Sequence, residues 1–598
     1  QINGLGVDAV YNLAASQAGY FIPSSAIQWY TGIVGATSAQ IAYLTGAVAG
    51  TAAASKVLVL DANKAIGDIA QFNVLGAGAV ATNQALGSTA LDANTTGARN
   101  TAVGIGALSA NTIGVDSTAV GKDALLVAVT ATGNTAVGSL AGDAITSGSN
   151  NTLAGINAGG ALTTGATNVA IGASALLTET TGVDNVAVGK DALKLQVAAA
   201  SGNTAVGAYA GDAVTTGVGN TLVGINSGGA LTTGASNTAV GSSALLTETT
   251  SVSNTAVGKD ALKLQDTGAG SNTAIGATAG DAITTGSANT LAGVDAGGAL
   301  TTGASNVAVG VNALLTETTG VNNVAVGKDA LKLQVAAASG NTAVGTFAGD
   351  AVTTGVGNTL VGINSGGALT TGASNTAVGS SALLTETTGV NNVAIGLDAL
   401  KLQVAAASGN TAVGAFSGDA VTTGVGNTLV GINSGGALTT GSSNTAIGSS
   451  ALLTETTGVN NTAVGLDALK LQVAAASGNT AVGALAGDAV TTGVGNTLVG
   501  LNAGGALTTG SSNTAVGSNA LLTETTSVNN VAIGLDAGKL QIAGAGGNTI
   551  VGALSGDALT TGSLNVAVGL NALGADTTGA NNVAVGKDAL LVATGTLR

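Results

Sequence analysis

The chain of 598 residues contains no cysteine, no histidine and no methionine, a single proline and ten aromatic residues. Without cysteine there are no disulfides and no thiolate metal ligands, and the redox compartment stays undecided. Without histidine the commonest general base and most zinc chemistry are gone as well. A chain with no methionine cannot begin at its own initiator, so processing, trimming or an incomplete reading is expected, a cleaved secretion signal being one form of it. Charged residues make up only 8% and sum to −15. That balance argues against a nucleic-acid partner, which needs clustered Lys and Arg, and serves mainly solubility. Aromatics at 2%, beside 97 glycines, are too few for a large conventional core or for most sugar clefts.

The scarce aromatics are unevenly placed. Tyr11, Tyr20, Phe21, Trp29, Tyr30, Tyr43 and Phe72 all precede the repeats, as does Pro23. Residues 1–82 are therefore expected to form a compact attachment or assembly segment. Their apolar stretches are broken by Ser, Gln, Thr and Gly, so none reads as a membrane span.

What the chain has in abundance is one short unit, repeated from Asn83 to Arg598. The unit opens Asn-Thr-Ala-Val-Gly, as at Asn134 to Gly138 and Asn341 to Gly345, and usually closes with Thr-Thr-Gly. Its period is 17 residues, lengthened to 18 in the copies that start at Asn185, Asn254, Asn323, Asn392, Asn461 and Asn530, giving a higher cycle of 69. Thirty copies fill residues 83–598, and Asn opens all but the one that starts at Ser117. A fixed period this short is the signature of a solenoid. It is too short for a helical hairpin repeat and lacks the leucine-rich pattern, whereas one turn of a β-solenoid fits. Thr-Ala-Val reads as a short strand, the Gly at unit position 5 as a sharp bend, and Thr-Thr-Gly as a second short strand. Thirty rungs at the inter-strand spacing of about 4.8 Å make a rod of roughly 140 to 145 Å. The recurring Asn is expected to form a ladder of side-chain amides as a structural turn residue.

Position 4, aliphatic at Val103, Ile171, Val206, Val344, Ile395 and Ile533, is expected to be the coil core. Position 3 alternates to the other face and is Ala, or Leu once per cycle as at Leu153, Leu222 and Leu291. Two apolar faces call for a second surface, and small Ala at close approach predicts packing against other copies, most simply as a homotrimer.

Charged residues recur with the long cycle. Glu179, Glu248, Glu317, Glu386, Glu455 and Glu524 precede Lys194, Lys263, Lys332, Lys401, Lys470 and Lys539 by one rung, and the two sets are expected to pair on the surface. Asp143, Asp212, Asp281, Asp350, Asp419, Asp488 and Asp557 recur once in four rungs, too sparsely for a calcium ion wanting six to eight oxygens. A glycosidase needs two carboxyls in one distinctive cleft, and identical repetition gives none. Gly-rich strings such as Gly224 to Gly229 lack the Lys-Ser/Thr ending and following helix of a phosphate loop. No catalytic, cofactor-binding or metal residue is assigned, and no enzymatic activity or cofactor is expected. Tyr209, Phe347 and Phe416 share position 7 and are outward candidates for contacts, incidental packing being the plainer account.

The unit Asn-Thr-Ala-Val-Gly, followed by Ala-Leu and a Thr-Thr-Gly turn, resembles the head repeats of trimeric autotransporter adhesins, whose rungs form a trimeric β-roll. It is still more similar to the Asn-Thr-Ala-Val-Gly repeats of bacteriophage tail and neck fibres. The stretches Gln40 to Gly46 and Thr51 to Lys64 are likewise similar to segments of phage structural proteins. This resemblance implies an all-β homotrimeric fibre on a virion, with residues 1–82 docking on a capsid, neck or tail protein and residues 83–598 projecting as a spacer. Separately, the unpaired strand edges of the end rung are expected to invite a capping or tip protein or another subunit. The alternative is a secreted, cell-surface filament or adhesin polymerising end to end through its N-terminal segment. An ice- or polysaccharide-binding face of stacked Thr-Thr pairs fits less well, because the ladder is interrupted in each cycle.

Overall fold

A computed structural model describes residue 80 and residues 82–591, apart from 198, 267, 336, 405 and 474. The expected attachment segment, residues 1–82, lies outside the described residues except at 80 and 82. Every repeat contributes one strand of three residues, from β1 (Gln84–Leu86) through β2 (Thr101–Val103) to β30 (Val583–Val585), and no helix is present among the described residues. Each strand pairs in parallel with the next repeat, position for position: Thr101 with Thr118, Ala102 with Ala119, Val103 with Val120. The register holds across the longer rungs too, where Val186 meets Thr204 and Val188 meets Val206. The chain is therefore a β-solenoid with one sheet running its whole described length.

Glycine at position 5 ends each strand. Gly345 has φ +143°, and a Cβ built on it would lie 2.4 Å from the carbonyl oxygen of Gly362 one rung on. Only glycine fits a column in which consecutive backbones approach so closely. Beyond it the turn places positions 7 and 9 in the left-handed region, for example Asp191 at φ 56° and Leu193 at φ 47°. Such residues are disfavoured singly and persist because stacking fixes them from both sides.

The strand faces are the reverse of the expectation. Position 3 points into the coil: Ala102, Leu153 and Ala205 are fully buried, while position 4 points out, with Ile171 at 41% and Val344 at 37% exposure. Side-chain size misleads here. The coil interior is already occupied by positions 9 and 12, as by Leu176 and Glu179 in one rung, so the small residue of the strand goes inside and the β-branched one covers the outside.

Volume within the coil explains the 69-residue cycle. Position 9 is Leu in two rungs of each cycle and Gly in the other two, and the Leu at position 3 sits between the two glycines. A Cβ at Gly142 or Gly159 would meet the methyls of Leu153 at 2.5 and 2.9 Å. One leucine thus fills two vacancies, a burial worth about 2 to 3 kcal/mol. The pattern survives where the cycle breaks: Ile550 comes one rung early, and its Cδ1 is 3.1 Å from the Cβ positions of both Gly538 and Gly556. The glycines have moved with the branched residue.

The asparagine ladder forms as expected. Asn203 Oδ1 accepts from both the backbone N–H and the side-chain amide of Asn220, at 2.9 and 3.1 Å, and Asn220 Nδ2 donates onward to the Gly234 carbonyl at 2.9 Å. At Ser117 the ladder thins to a hydroxyl that accepts the Asn134 N–H at 3.3 Å. The left-handed residue belongs one position earlier, as at Asp184 with φ 58°, and Asn itself keeps an ordinary φ.

The second expected strand does not form. Along Thr163-Thr164-Gly165 three successive N–H groups converge on one acceptor, the carbonyl of Thr180, at 2.8, 3.2 and 3.3 Å. Successive N–H groups of a strand point to opposite sides, so this convergence excludes a ladder and makes the segment a bend.

Candidate functional site

The six recurring glutamates occupy unit position 12, where neighbouring rungs carry Ile145, Leu162 and Val214, and like them they are fully buried. Oε1 of Glu179 accepts the N–H groups of Thr180, Thr181 and Gly182 at 2.8, 2.9 and 2.7 Å. Those are the same three donors that in other rungs converge on the next rung's position-13 carbonyl. In the following, longer rung that carbonyl belongs to Val197 and accepts the N–H of Ala200 at 3.2 Å. The carboxylate stands in for the carbonyl that the insertion has taken away. Glu317 repeats this with Thr318, Thr319 and Gly320, and Val335 with Ala338. Asp576 does it with a shorter arm, toward Thr578 and Gly579.

The other carboxylate oxygen faces the glutamine of the next rung. Gln334 Nε2 donates to Glu317 Oε2 at 3.0 Å and to the Ala338 carbonyl at 2.6 Å. The sixth station differs: Glu524 Oε2 and both side-chain polar atoms of Gln541 have no partner. There Gly538 replaces the leucine that packs at position 9 in the other five longer rungs.

The expected surface pairing of these glutamates with lysine is therefore overturned. The lysines stay outside and pair with the aspartate three residues earlier, Lys332 to Asp329 at 3.3 Å and Lys194 to Asp191 at 3.3 Å. Such part-exposed pairs are worth about 0 to 1 kcal/mol. The legible signal was the unit position: an acidic residue that alternates with Leu and Ile in one column of a solenoid lies where they lie.

The Gly-Asp carboxylates sit half-buried on the outer turn. Among the described residues no group of three or more His, Cys, Asp or Glu is arranged to hold a metal. Burial raises the pKa of Asp350, hydrogen bonding from its own N–H lowers it, and Asp329 and Lys332 add smaller opposed effects, for a net rise. A raised folded-state pKa means the folded rod binds this proton more tightly than the unfolded chain. The corresponding stability is full below the ordinary aspartate value of about 3.9 and is lost as pH rises through the folded value. Asp350→Asn should accordingly be more favourable, relative to the parent, at pH 7 than at pH 3. Paired denaturation curves at the two pH values check this, and an equal difference at both would refute it.

Tyr209 and Phe347 lie on the outside, under Lys190 and Lys328, whose Nζ atoms are 4.7 and 5.6 Å from the ring centres. Phe416 follows Leu397 instead of a lysine and is exposed. In the Thr-Thr pairs the position-13 hydroxyl donates to the next rung, as Thr370 does to the Thr387 carbonyl at 2.9 Å, and the position-14 residue is exposed, as at Thr371. No helix among the described residues is long and apolar enough to cross a membrane. What the described surface offers is one extended face, the outer side of the sheet, with Thr or Val at position 2 and Val or Ile at position 4 in nearly every rung.

Comparison of the sequence with protein-family models and with curated proteins returns no match.

Proposed function

We propose that the protein is a non-enzymatic structural fibre, a virion appendage that projects as a stiff spacer and aids attachment to a host. The observation that carries this reading is the uninterrupted sheet of thirty strands, in one register even across the longer rungs. Leucine and its paired glycines, and glutamate before each longer rung, all serve to keep the stack going. A sequence selected in this way is selected for length, and thirty rungs give about 140 Å. Residues 1–82 are the docking segment in this reading, and homotrimerisation supplies the stiffness a single thin coil lacks.

The alternative reading is a secreted, cell-surface filament or adhesin that grows end to end through its N-terminal segment. Electron microscopy of the native assembly separates the two. Rods of one length near 140 Å, tethered at one end to a particle, are the expected result; filaments of variable length with a repeating subunit would replace the first reading by the second.

A further inference from the structure

We propose that the outer face of the sheet, at unit positions 2 and 4, is the surface through which copies of this chain pack side by side. The inference rests on the fibre reading and names its partner surface. Four observations lead to it.

The position-4 column of the face is apolar over its entire length, and beside it position 2 carries Thr or Val in every strand after β1. Position 4 is Val or Ile in all strands but three, where it is Leu86, Ala154 or Ala292. These side chains stand well out of the coil, with Val137 at 44% and Ile275 at 48% exposure. Repeated in every strand, they form one continuous column, whereas a monomer ordinarily scatters its exposed apolar side chains singly or in patches of roughly a few hundred Å².

The face is also free of charge. Neither position 2 nor position 4 carries Asp, Glu, Lys or Arg in any of the thirty strands, in a chain whose net charge is −15. The charges stand elsewhere, on the outer turns and, for the six recurring glutamates, within the coil.

It is, thirdly, the side that the longer rungs leave undisturbed. Hydrogen bonding changes on the bend side, where the Val197 carbonyl accepts the Ala200 N–H, whereas strand register passes unbroken through β7 (Val186–Val188) and β8 (Thr204–Val206). A partner laid along the bend side would meet an irregularity every fourth rung.

Finally, the occupant must match a surface that repeats at strand spacing over the whole stack. A second copy of the same chain has that repeat. Two such sheets can interdigitate Val, Ile and Thr in a dry contact of the kind formed between paired sheets of identical strands. The face is not the one inferred from sequence, where position 3 was to meet the neighbouring copy; position 3 is inside.

The test is sedimentation of the full chain beside two triple variants. Val344→Lys with Val413→Lys and Val482→Lys charges the sheet face. Thr354→Lys with Thr423→Lys and Thr492→Lys charges the exposed bend in the same three rungs. The parent and the bend variant should sediment at a multiple of 55.5 kDa, and the sheet-face variant at the mass of one chain. A parent that sediments as a single chain at micromolar concentration overturns the proposal, as does a sheet-face variant that keeps the parent's mass.

Should the charged sheet fail to fold, the absence of native cysteine provides a second route. Val344→Cys should resist a maleimide probe in the assembled parent background, and Thr354→Cys should react; equal reactivity refutes the interface. Single-chain rods of the expected length on a particle would sink this inference and leave the fibre reading standing.

Discussion

Glu317→Leu is expected to open the solenoid locally, although leucine occupies the same unit position three rungs on, at Leu369. The difference lies in what happens to three N–H groups. At Leu369 the donors of Thr370, Thr371 and Gly372 converge on the Thr387 carbonyl, at 2.8, 3.2 and 3.3 Å. At Glu317 their counterparts depend on Oε1, because the Val335 carbonyl is already engaged by Ala338. Leaving these donors, Gly320's buried and those of Thr318 and Thr319 part-buried, without acceptors costs about 3 to 9 kcal/mol. Apolar burial of the new side chain offsets about 2 kcal/mol of that. A net loss on the order of 4 kcal/mol corresponds to roughly a thousandfold faster exchange of the Thr318, Thr319 and Gly320 amides, if they exchange by local opening. Exchange measured by NMR or mass spectrometry reads this directly, and amides as protected as in the parent would refute the assignment.

The same logic predicts a rescue. Shortening the rung 323–340 by one residue and giving it Thr-Thr-Gly returns the position-13 carbonyl to its usual duty, so protection should recover in the Glu317→Leu background. Glu317→Gln should be much milder, since its amide oxygen still accepts the three donors and only the charge assistance is lost.

Repeat length, rung number, the bend at position 5 and the asparagine ladder could all be read from the sequence, because each depends on periodicity and on local backbone geometry. The direction in which a strand residue points could not, because Thr-Ala-Val carries aliphatic character on both faces and alternation alone does not say which face is inside. The deciding fact is a volume, and it was present in the covariation within the chain itself. Leu153, Leu222 and Leu360 each fall between two position-9 glycines, a relation that makes sense only if the three residues share one enclosed space. Glu179 was misplaced for a related reason. A carboxylate is assigned to the surface by default, yet backbone donors can hold one inside when they converge, and convergence is a property of the bend that short-range sequence reading took for a strand.

These irregularities bear on what the molecule can tolerate. In a one-dimensional stack each rung touches only its neighbours, so a defect is not diluted by the rest of the structure. That places the severest sequence constraint where successive backbones come closest.

Gly345→Ala is expected to break the rod in two. The built Cβ lies 2.4 Å from the Gly362 oxygen and 2.6 Å from its carbonyl carbon, both backbone atoms, and so has no flexible side chain to push aside. Relief would need the strands to part, yet the Gly362 N–H holds them together by donating to the Val344 carbonyl at 2.8 Å. Gly340 is the natural control: it too is left-handed, at φ 69°, but a Cβ there meets nothing within 4 Å. Gly340→Ala should therefore cost only the conformational penalty of about 1 to 2 kcal/mol. Gly345→Ala adds a clash that overpacking data place at about 1 to 3 kcal/mol even where side chains yield, and more where backbone must move. Calorimetry should show a single parent transition for the rod, a small shift for Gly340→Ala, and for Gly345→Ala two transitions with new proteolytic cleavage near the substituted rung. Equal shifts from the two alanines would mean that conformation alone, and not the approach of neighbouring rungs, keeps glycine at position 5.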